Sequence, residues 1–281
     1  FTNVLNLTNN EGAQAVIHLG DFDYAGNPAN FESKINEVLG ASYPYFVVPG
    51  NHDVEDSDSW RIGCPDTQGC YAQYFKTRLN SLGITVSDQD LNNQTYSFSF
   101  KGLKIVGVGN DDFQGLGDSV YTPYINSQLQ NDNHLWKVCA WHRNQNAMQV
   151  GDKGDSIGWG VYEACRNFGA IISTAHEHSY ARTKTLTNMT LQTVDPAYPN
   201  PNILRVEPGK TFSFHSGLGG NSIRTQTRCL PSSYPYGCKG EWAKIFTADQ
   251  GAQYGALFMT FNVDGDPSKA RGYFKTISGA I

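Results

Sequence analysis

Long apolar runs are missing from this chain. No stretch approaches the ~18 to 20 residues that a membrane-crossing helix requires, so no helical span is expected. A basic excess is missing too: Lys and Arg number 21 against 26 Asp and Glu, a net charge of −5. Nucleic acid is therefore not expected as the main partner, because binding it usually needs a basic face. The six cysteines form no paired Cys-x-x-Cys units, which argues against zinc held by thiolates. Internal repeats and low-complexity linkers are absent as well. What remains is a chain of 281 residues, 39% hydrophobic, enough for a sizeable core and read as one α/β domain over 1–281.

Cys64 and Cys70 bracket a short loop, as do Cys229 and Cys238, and each pair is expected to close a local disulfide. Such bridges contribute ~2 to 3 kcal/mol each on the chain-entropy account. Cys139 falls in a predicted strand and Cys165 in a predicted helix, where a bridge and two buried thiols both remain open. Asn6, Asn93 and Asn188 each begin an Asn-x-Thr glycosylation pattern. With paired cysteines and few lysines, these point to a secreted or luminal, oxidising setting. A signal peptide is not in the sequence, so its removal or a late start of the chain is expected.

Apolar runs at 13–19 and 45–48 read as strands, and helical spacing of Phe31, Ile35, Val38 and Leu39 joins them. A strand-helix-strand crossover implies parallel pairing. Further helices are predicted over 71–82, 121–129 and 161–168. Strands are predicted over 95–100, 103–108, 138–141, 170–174, 211–214, 257–263 and 271–276. Residues 53–59 read as a solvated loop leaving the site.

Polar groups close these runs in order: Gly20-Asp21-Phe22-Asp23-Tyr24, Gly50-Asn51-His52-Asp53, His142, and Ala175-His176-Glu177-His178. Carboxylate, phenol, amide oxygen and imidazole together suit two adjacent hard or borderline cations. Each residue also has a plainer reading. Asp21 alone is a turn cap, Tyr24 a packed aromatic, Asn51 a turn former and His142 a buried strand-end imidazole. Asp21, Asn51, His142 and His176 all follow predicted strands, and ligands gather where the carboxyl ends of strands open into loops, so the four are expected at the same edge of one sheet. His176 and His178 would point to opposite faces of a continuing strand, whereas a loop could turn both inward. His18 reads as a packed group, His134 as exposed, and His215 as a strand-end group that either lines the pocket or packs. Arg143, Lys153 and Arg182 are candidates for phosphate oxygens and equally ordinary surface cations.

The ordered set Gly20-Asp21-x-x-Tyr24, Gly50-Asn51-His52-Asp53, a strand-end His142 and His176-x-His178-x-Tyr180 resembles the calcineurin-like metallophosphoesterases. Tyr24 makes it similar to their purple acid phosphatase branch. The similarity covers residues 13–182, with Gly217 to Gly220 matching a later glycine-rich strand end. The resemblance implies a layered sandwich of mixed β-sheets flanked by helices. It implies that Asp21 bridges two metals, that Tyr24 and His178 hold Fe(III), and that Asn51, His142 and His176 hold a divalent ion (Zn, Fe or Mn). His52 would contact the phosphoryl group or protonate the leaving oxygen, with Arg143 and His215 binding a small phosphorylated substrate. The activity implied is acid phosphomonoester hydrolysis. A phosphodiesterase or nucleotide hydrolase, and a secreted binding or storage protein with a weakened site, are the alternatives.

Two positions depart from the family pattern. Ala175 stands for the usual Gly before the His-x-His pair, and residues 1–10 contain no Asp-x-Gly or Asp-x-His motif. An upstream segment with a strand, that motif and a signal peptide is therefore expected.

Overall fold

Short strands end in polar loops throughout this chain, and the computed structural model, which describes residues 1–54, 59–64, 69–109 and 117–279, shows where those ends meet. The first part runs α1 (Thr2–Asn10), β1 (Val16–His18), α2 (Pro28–Leu39), β2 (Tyr45–Val47), α3 (Asn51–Val54), α4 (Tyr71–Ser81) and α5 (Asp88–Asn92). The middle comprises β3 (Thr95–Phe100), β4 (Leu103–Val108), α6 (Gly117–Leu129), β5 (Trp136–Ala140), α7 (Trp159–Asn167), β6 (Ile171–Thr174) and β7 (Tyr180–Thr183). The last part holds β8 (Leu186–Asn188), β9 (Thr193–Val194), β10 (Ser213–Ser216), β11 (Trp242–Phe246), β12 (Gly255–Val263) and β13 (Asp266–Thr276).

Local chemistry accounts for the long crossover helix. Asn27 caps α2 by accepting from the Asn30 N–H, Pro28 occupies its first turn, and Gly40 ends it at φ 98°. As the crossover implies, β1 and β2 pair in parallel. A seven-stranded mixed sheet runs β11-β7-β10-β6-β5-β4-β3, with β4, β5, β6 and β10 parallel to one another.

Period-two alternation along that sheet divides the core. Ile105, Val138, Ile171 and Phe214 face β2 and helices α1, α2 and α4, together with Phe46, Phe31 and Phe75. Val106, Cys139 and Ile172 face α6 and α7, against Ile125, Val161 and Tyr162. The architecture is thus a mixed α/β sandwich with helices outside two sheet layers.

Three expectations need correction. The candidate residues do not sit on one sheet: β1 and β2 form a separate two-stranded sheet, so Asp21 and Asn51 come from one layer and His142 and His176 from the other. Asp53, Val54 and Ser59 are buried rather than solvated, while 55–58 lie outside the described residues. His134 is half-buried and paired with Asp132. The three disulfides Cys64–Cys70, Cys139–Cys165 and Cys229–Cys238 are all formed, which closes the open question at Cys139. No helix among the described residues is long and apolar enough to cross a membrane.

Candidate metal centre

Gly20 ends the β1 run at φ 89°, and Asp21 and Tyr24 follow in the left-handed region, both at φ 55°. Such backbone is costly for residues with a Cβ and persists where surrounding contacts enforce it. Those contacts come from β2. The buried Asp53 carboxylate accepts from the N–H groups of Asp21 (2.8 Å), Phe22 (2.9 Å) and Gly50 (2.7 Å). In return the His52 N–H donates to Asp21 Oδ1 at 3.1 Å. Gly50 permits the approach: a Cβ there would stand 2.2 Å from Asp21 Oδ1.

The other half arrives from β5 and β6. Ala175 N–H donates to the His142 carbonyl (3.0 Å), and Asn144 Nδ2 donates to the Ala175 carbonyl (2.6 Å), which locks the two loops together. His176 turns at φ 61°, so His176 and His178 both come to the cluster around Asp21 despite their alternating spacing. Ligand atoms of Asp21, His142 and His176 lie within 4.8 Å of one another. His142 Nε2 stands 3.1 Å from Asp21 Oδ2 and 3.2 Å from His176 Nδ1. At the same Asp21 oxygen, the Tyr24 hydroxyl lies 3.2 Å from Oδ2 and 3.1 Å from His178 Nε2. His52 packs on the Tyr24 ring with centroids 4.5 Å apart.

The donor set fits cations. His142 Nδ1 faces the Leu19 carbonyl at 2.6 Å; a proton held there leaves the Nε2 lone pair for the centre. Asn51 Oδ1 is buried without a hydrogen-bond partner, an expensive arrangement for an amide oxygen unless something positive sits against it.

Electrostatics within the cluster agree. Burial opposes charge on Asp21, yet His142 and the His52 N–H hold it ionised well below the usual range. Burial also opposes protonation of His142, and Asp21 overcomes this and raises its pKa. Burial, then the charges of His142, Lys153 and Arg143, push His176 down to about 2. Burial and Arg224 push His178 down to about 4. Burial, reinforced by Asp21, raises Tyr24. Burial and the Asp21 charge raise Asp53, against three N–H donors that favour its anion.

The remaining candidates divide. Arg143 and Lys153 act on the His176 side. Arg182 is turned away, its guanidinium on the carbonyls of Thr183 and Pro201. His215 is wholly buried, with Nε2 2.9 Å from Ser179 Oγ and its ring against Trp242, so it sits behind the His178 loop and does not line the centre. His18 packs among Phe1, Phe22, Phe31 and Tyr45. Sequence reasoning missed Asp53, whose signal was its place three residues after Gly50. It also missed Arg224, which reaches Glu177 at 3.4 Å, and Ser222, whose hydroxyl lies 2.7 Å from His178 Nδ1. Neither carries a local signal.

His215 supplies a pH prediction. Burial pushes it down to about 3, whereas an exposed imidazole titrates near ~6.5. Between those values the unfolded chain binds a proton that the folded chain refuses, so stability falls as pH drops through that window. This residue is expected to contribute a slope of up to ~1.4 kcal/mol per pH unit. Thermal melts from pH 7 to 4 should show it, and His215→Gln should flatten the dependence; an unchanged slope in that variant would refute the assignment.

Comparison with known proteins follows the same pattern. A family model described as calcineurin-like phosphoesterase matches residues 1–180. No curated protein matches the chain. Among solved structures, the purple acid phosphatase PPD1 isolated from yellow lupin (Lupinus luteus) seeds matches with TM-score 0.64 and 15% identity, over 100% of this chain and 47% of that one. That likeness is one of fold, and this chain spans less than half the lupin protein. The structure of PhoD matches at TM-score 0.39 and 10% identity, over 77% of this chain and 53% of that one.

Proposed function

The chain belongs to the calcineurin-like phosphoesterase family, and from that premise we propose that it hydrolyses small phosphomonoesters at a centre of two cations, Fe(III) and a divalent ion (Zn, Fe or Mn). The observation that carries this reading is the convergence of Asp21, His142 and His176 beside a buried Asn51 oxygen without a partner. When bound, two adjacent cations lower the pKa of a water and neutralise phosphoryl oxygens.

The chain's own residues prepare that chemistry. Asp21 would bridge, since Oδ2 faces His142 and Tyr24 alike. Asn51, His142 and His176 would hold the divalent ion, with the Leu19 carbonyl fixing the His142 tautomer. Tyr24 and His178 would hold the ferric ion, with Ser222 orienting His178. His52, against the Tyr24 ring, would contact the phosphoryl group or hand a proton to the leaving oxygen. Arg143, Lys153 and Arg224 supply positive potential that favours a phosphate dianion. Exposed Asn6 and Asn93, with Asn188, would carry glycans in a secreted form.

Assays with p-nitrophenyl phosphate, its bis ester and parallel metal analysis test the reading. Faster turnover of the bis ester would favour a diesterase. Loaded metal with neither activity would favour the binding protein. Iron gives its own signature, because a phenolate on Fe(III) absorbs visible light. The oxidised protein is expected to be coloured and Tyr24→Phe to lose that band; a colourless protein with two zinc ions would refute iron while leaving hydrolysis intact.

A further inference from the structure

One group of charges beside the metal centre is built for more than a general attraction to phosphate. Lys153, Glu177 and Arg224 lie in the loops that follow β5, β6 and β10. Those three strands are neighbours and run parallel, so their loops open at one rim of the large sheet. His142 and His176 stand on the same rim, where ligands of such sheets gather.

Backbone contacts hold each loop in place. The Arg224 N–H donates to the His178 carbonyl at 3.0 Å, and the Arg224 carbonyl accepts from the Ala248 N–H at 2.8 Å. The Lys153 carbonyl accepts from Asn146 Nδ2 at 2.6 Å and from Gln149 Nε2 at 2.9 Å. Glu177 touches both loops. Its carboxylate lies 3.4 Å from Arg224 Nη1, and a Cβ on Gly151 would come within 2.4 Å of Glu177 Cδ.

The side chains are held but not saturated. Glu177 is wholly buried, while Arg224 keeps a third of its side chain exposed. That single long contact leaves most of the five guanidinium N–H donors unused among the described residues. Lys153 is half-buried, and its ammonium has no hydrogen-bond or ion-pair partner among the described residues. Burial and then Arg224 lower the Lys153 pKa, so the two cations stand close enough to repel each other. An anion between them would relieve that repulsion. Both charges act on His178, and Lys153 acts on His176 as well, so the pair borders the centre.

The balance of charge selects the kind of anion. A phosphoryl dianion is neutralised by the cations of the centre when they are bound, which leaves this pair for a further group. Set against Glu177, Lys153 and Arg224 offer one net positive charge, and the nearby Arg143 and Asp152 cancel formally. A carboxylate matches that single charge and accepts the parallel donors of a guanidinium. A second phosphoryl dianion would stay half neutralised.

We propose that Lys153 and Arg224 form a second anion site on the rim of the metal centre, and that it takes a carboxylate carried by the substrate beside its phosphoryl group. This deepens the phosphomonoesterase reading and rests on it. The favoured substrates are phosphomonoesters of hydroxy acids, with Glu177 as the residue that positions Arg224.

The test uses the whole chain loaded with metal. Substrates are 3- and 4-carboxyphenyl phosphate, each beside the carboxamide of the same size, with p-nitrophenyl phosphate and inorganic diphosphate as references. In at least one isomer the acid is expected to exceed the amide roughly tenfold or more in kcat/KM, mainly through KM. Lys153→Gln and Arg224→Gln should slow every substrate, because both cations attract phosphate, and should also abolish the preference for acid over amide. Arg224→Lys is expected to restore part of it. If Arg224→Gln does not fold, Lys153→Gln decides alone. Calorimetry with the matching carboxybenzylphosphonates and their amides reads the site without turnover. Tighter binding of the acid, lost in Lys153→Gln, supports the site even where no phosphoester is hydrolysed, a result that would sink only the hydrolase reading. Hydrolysis of acid and amide at equal rates in both isomers overturns the anion site and leaves the hydrolase standing. A preference that survives both substitutions overturns it as well. So does a preference for diphosphate over every carboxylate that Lys153→Gln removes, which would assign the pair to a second phosphoryl group.

Discussion

Asp21→Ala is expected to remove phosphatase activity to the buffer background and bound metal with it. This carboxylate lies at the meeting point of both halves of the centre, 3.1 Å from His142 Nε2 and 3.2 Å from the Tyr24 hydroxyl. Without it, His142, His176 and the Asn51 oxygen keep their places but lose the anion that offsets cationic charge. Two neutral imidazoles and an amide hold a divalent ion weakly, and the buried Tyr24 phenol, which needs a cation beside it to ionise, does not make up the lost anionic charge. Metal content by mass spectrometry and turnover of p-nitrophenyl phosphate, measured on one preparation, check both effects. Full activity with unchanged metal would sink the assignment of Asp21. Loss of activity with metal retained would deny its bridging role while keeping it in the site.

Asp53→Ala is expected to be the most damaging substitution for the fold around the site. The carboxylate accepts three backbone N–H groups, those of Asp21, Phe22 and Gly50, in the turns that follow β1 and β2. Each buried donor left unpaired costs ~1 to 3 kcal/mol, while relief of repulsion from Asp21 returns part of it. A net loss of ~3 kcal/mol is expected, together with displacement of the strained turn at Asp21. Asp53→Asn keeps one acceptor oxygen and should lose less stability, although its amide hydrogens then face backbone donors. Chemical denaturation of both variants with activity on the same samples checks this. If Asp53→Ala matches the parent in midpoint and rate, the carboxylate does not hold the turn.

Much of this was legible in the sequence because it is local. The runs at 95–100 and 103–108 became strands with those bounds, and the crossover from β1 to β2 followed from its helical spacing and the stop at Gly40. The four polar groups at 20–24, 50–53, 142 and 175–178 singled out Asp21, Asn51, His142 and His176 because each closes an apolar run. The missed features are those that depend on distant partners. Tyr180–Thr183 is a strand because it lies between β10 and β11 and pairs with both, and Trp242–Phe246 because it pairs with Tyr180–Thr183, which neither segment's own pattern reveals. Asp53 looked like the start of a hydrophilic loop, since the donors that bury it lie 31 and 32 positions earlier and at Gly50. His176 and His178 could be placed together only with the left-handed turn in view.

The disulfides each close within one part of the sandwich. Cys64–Cys70 sits at the start of α4, Cys139–Cys165 fastens β5 to α7, and Cys229–Cys238 packs beside Trp242 and Ile245 of β11. None of them spans the seam between the small sheet and the large one, and the candidate metal centre lies on that seam. Oxidation can therefore finish while the two sheets are still apart, and a correct set of bridges says nothing about whether they have docked. Docking would be reported by the candidate centre itself, since Asp21 and Asn51 come beside His142 and His176 only when both sheets are in register. A cation bound there would act as a reversible rivet across a boundary that none of the three disulfides spans, so chelation should loosen this protein where reduction does not.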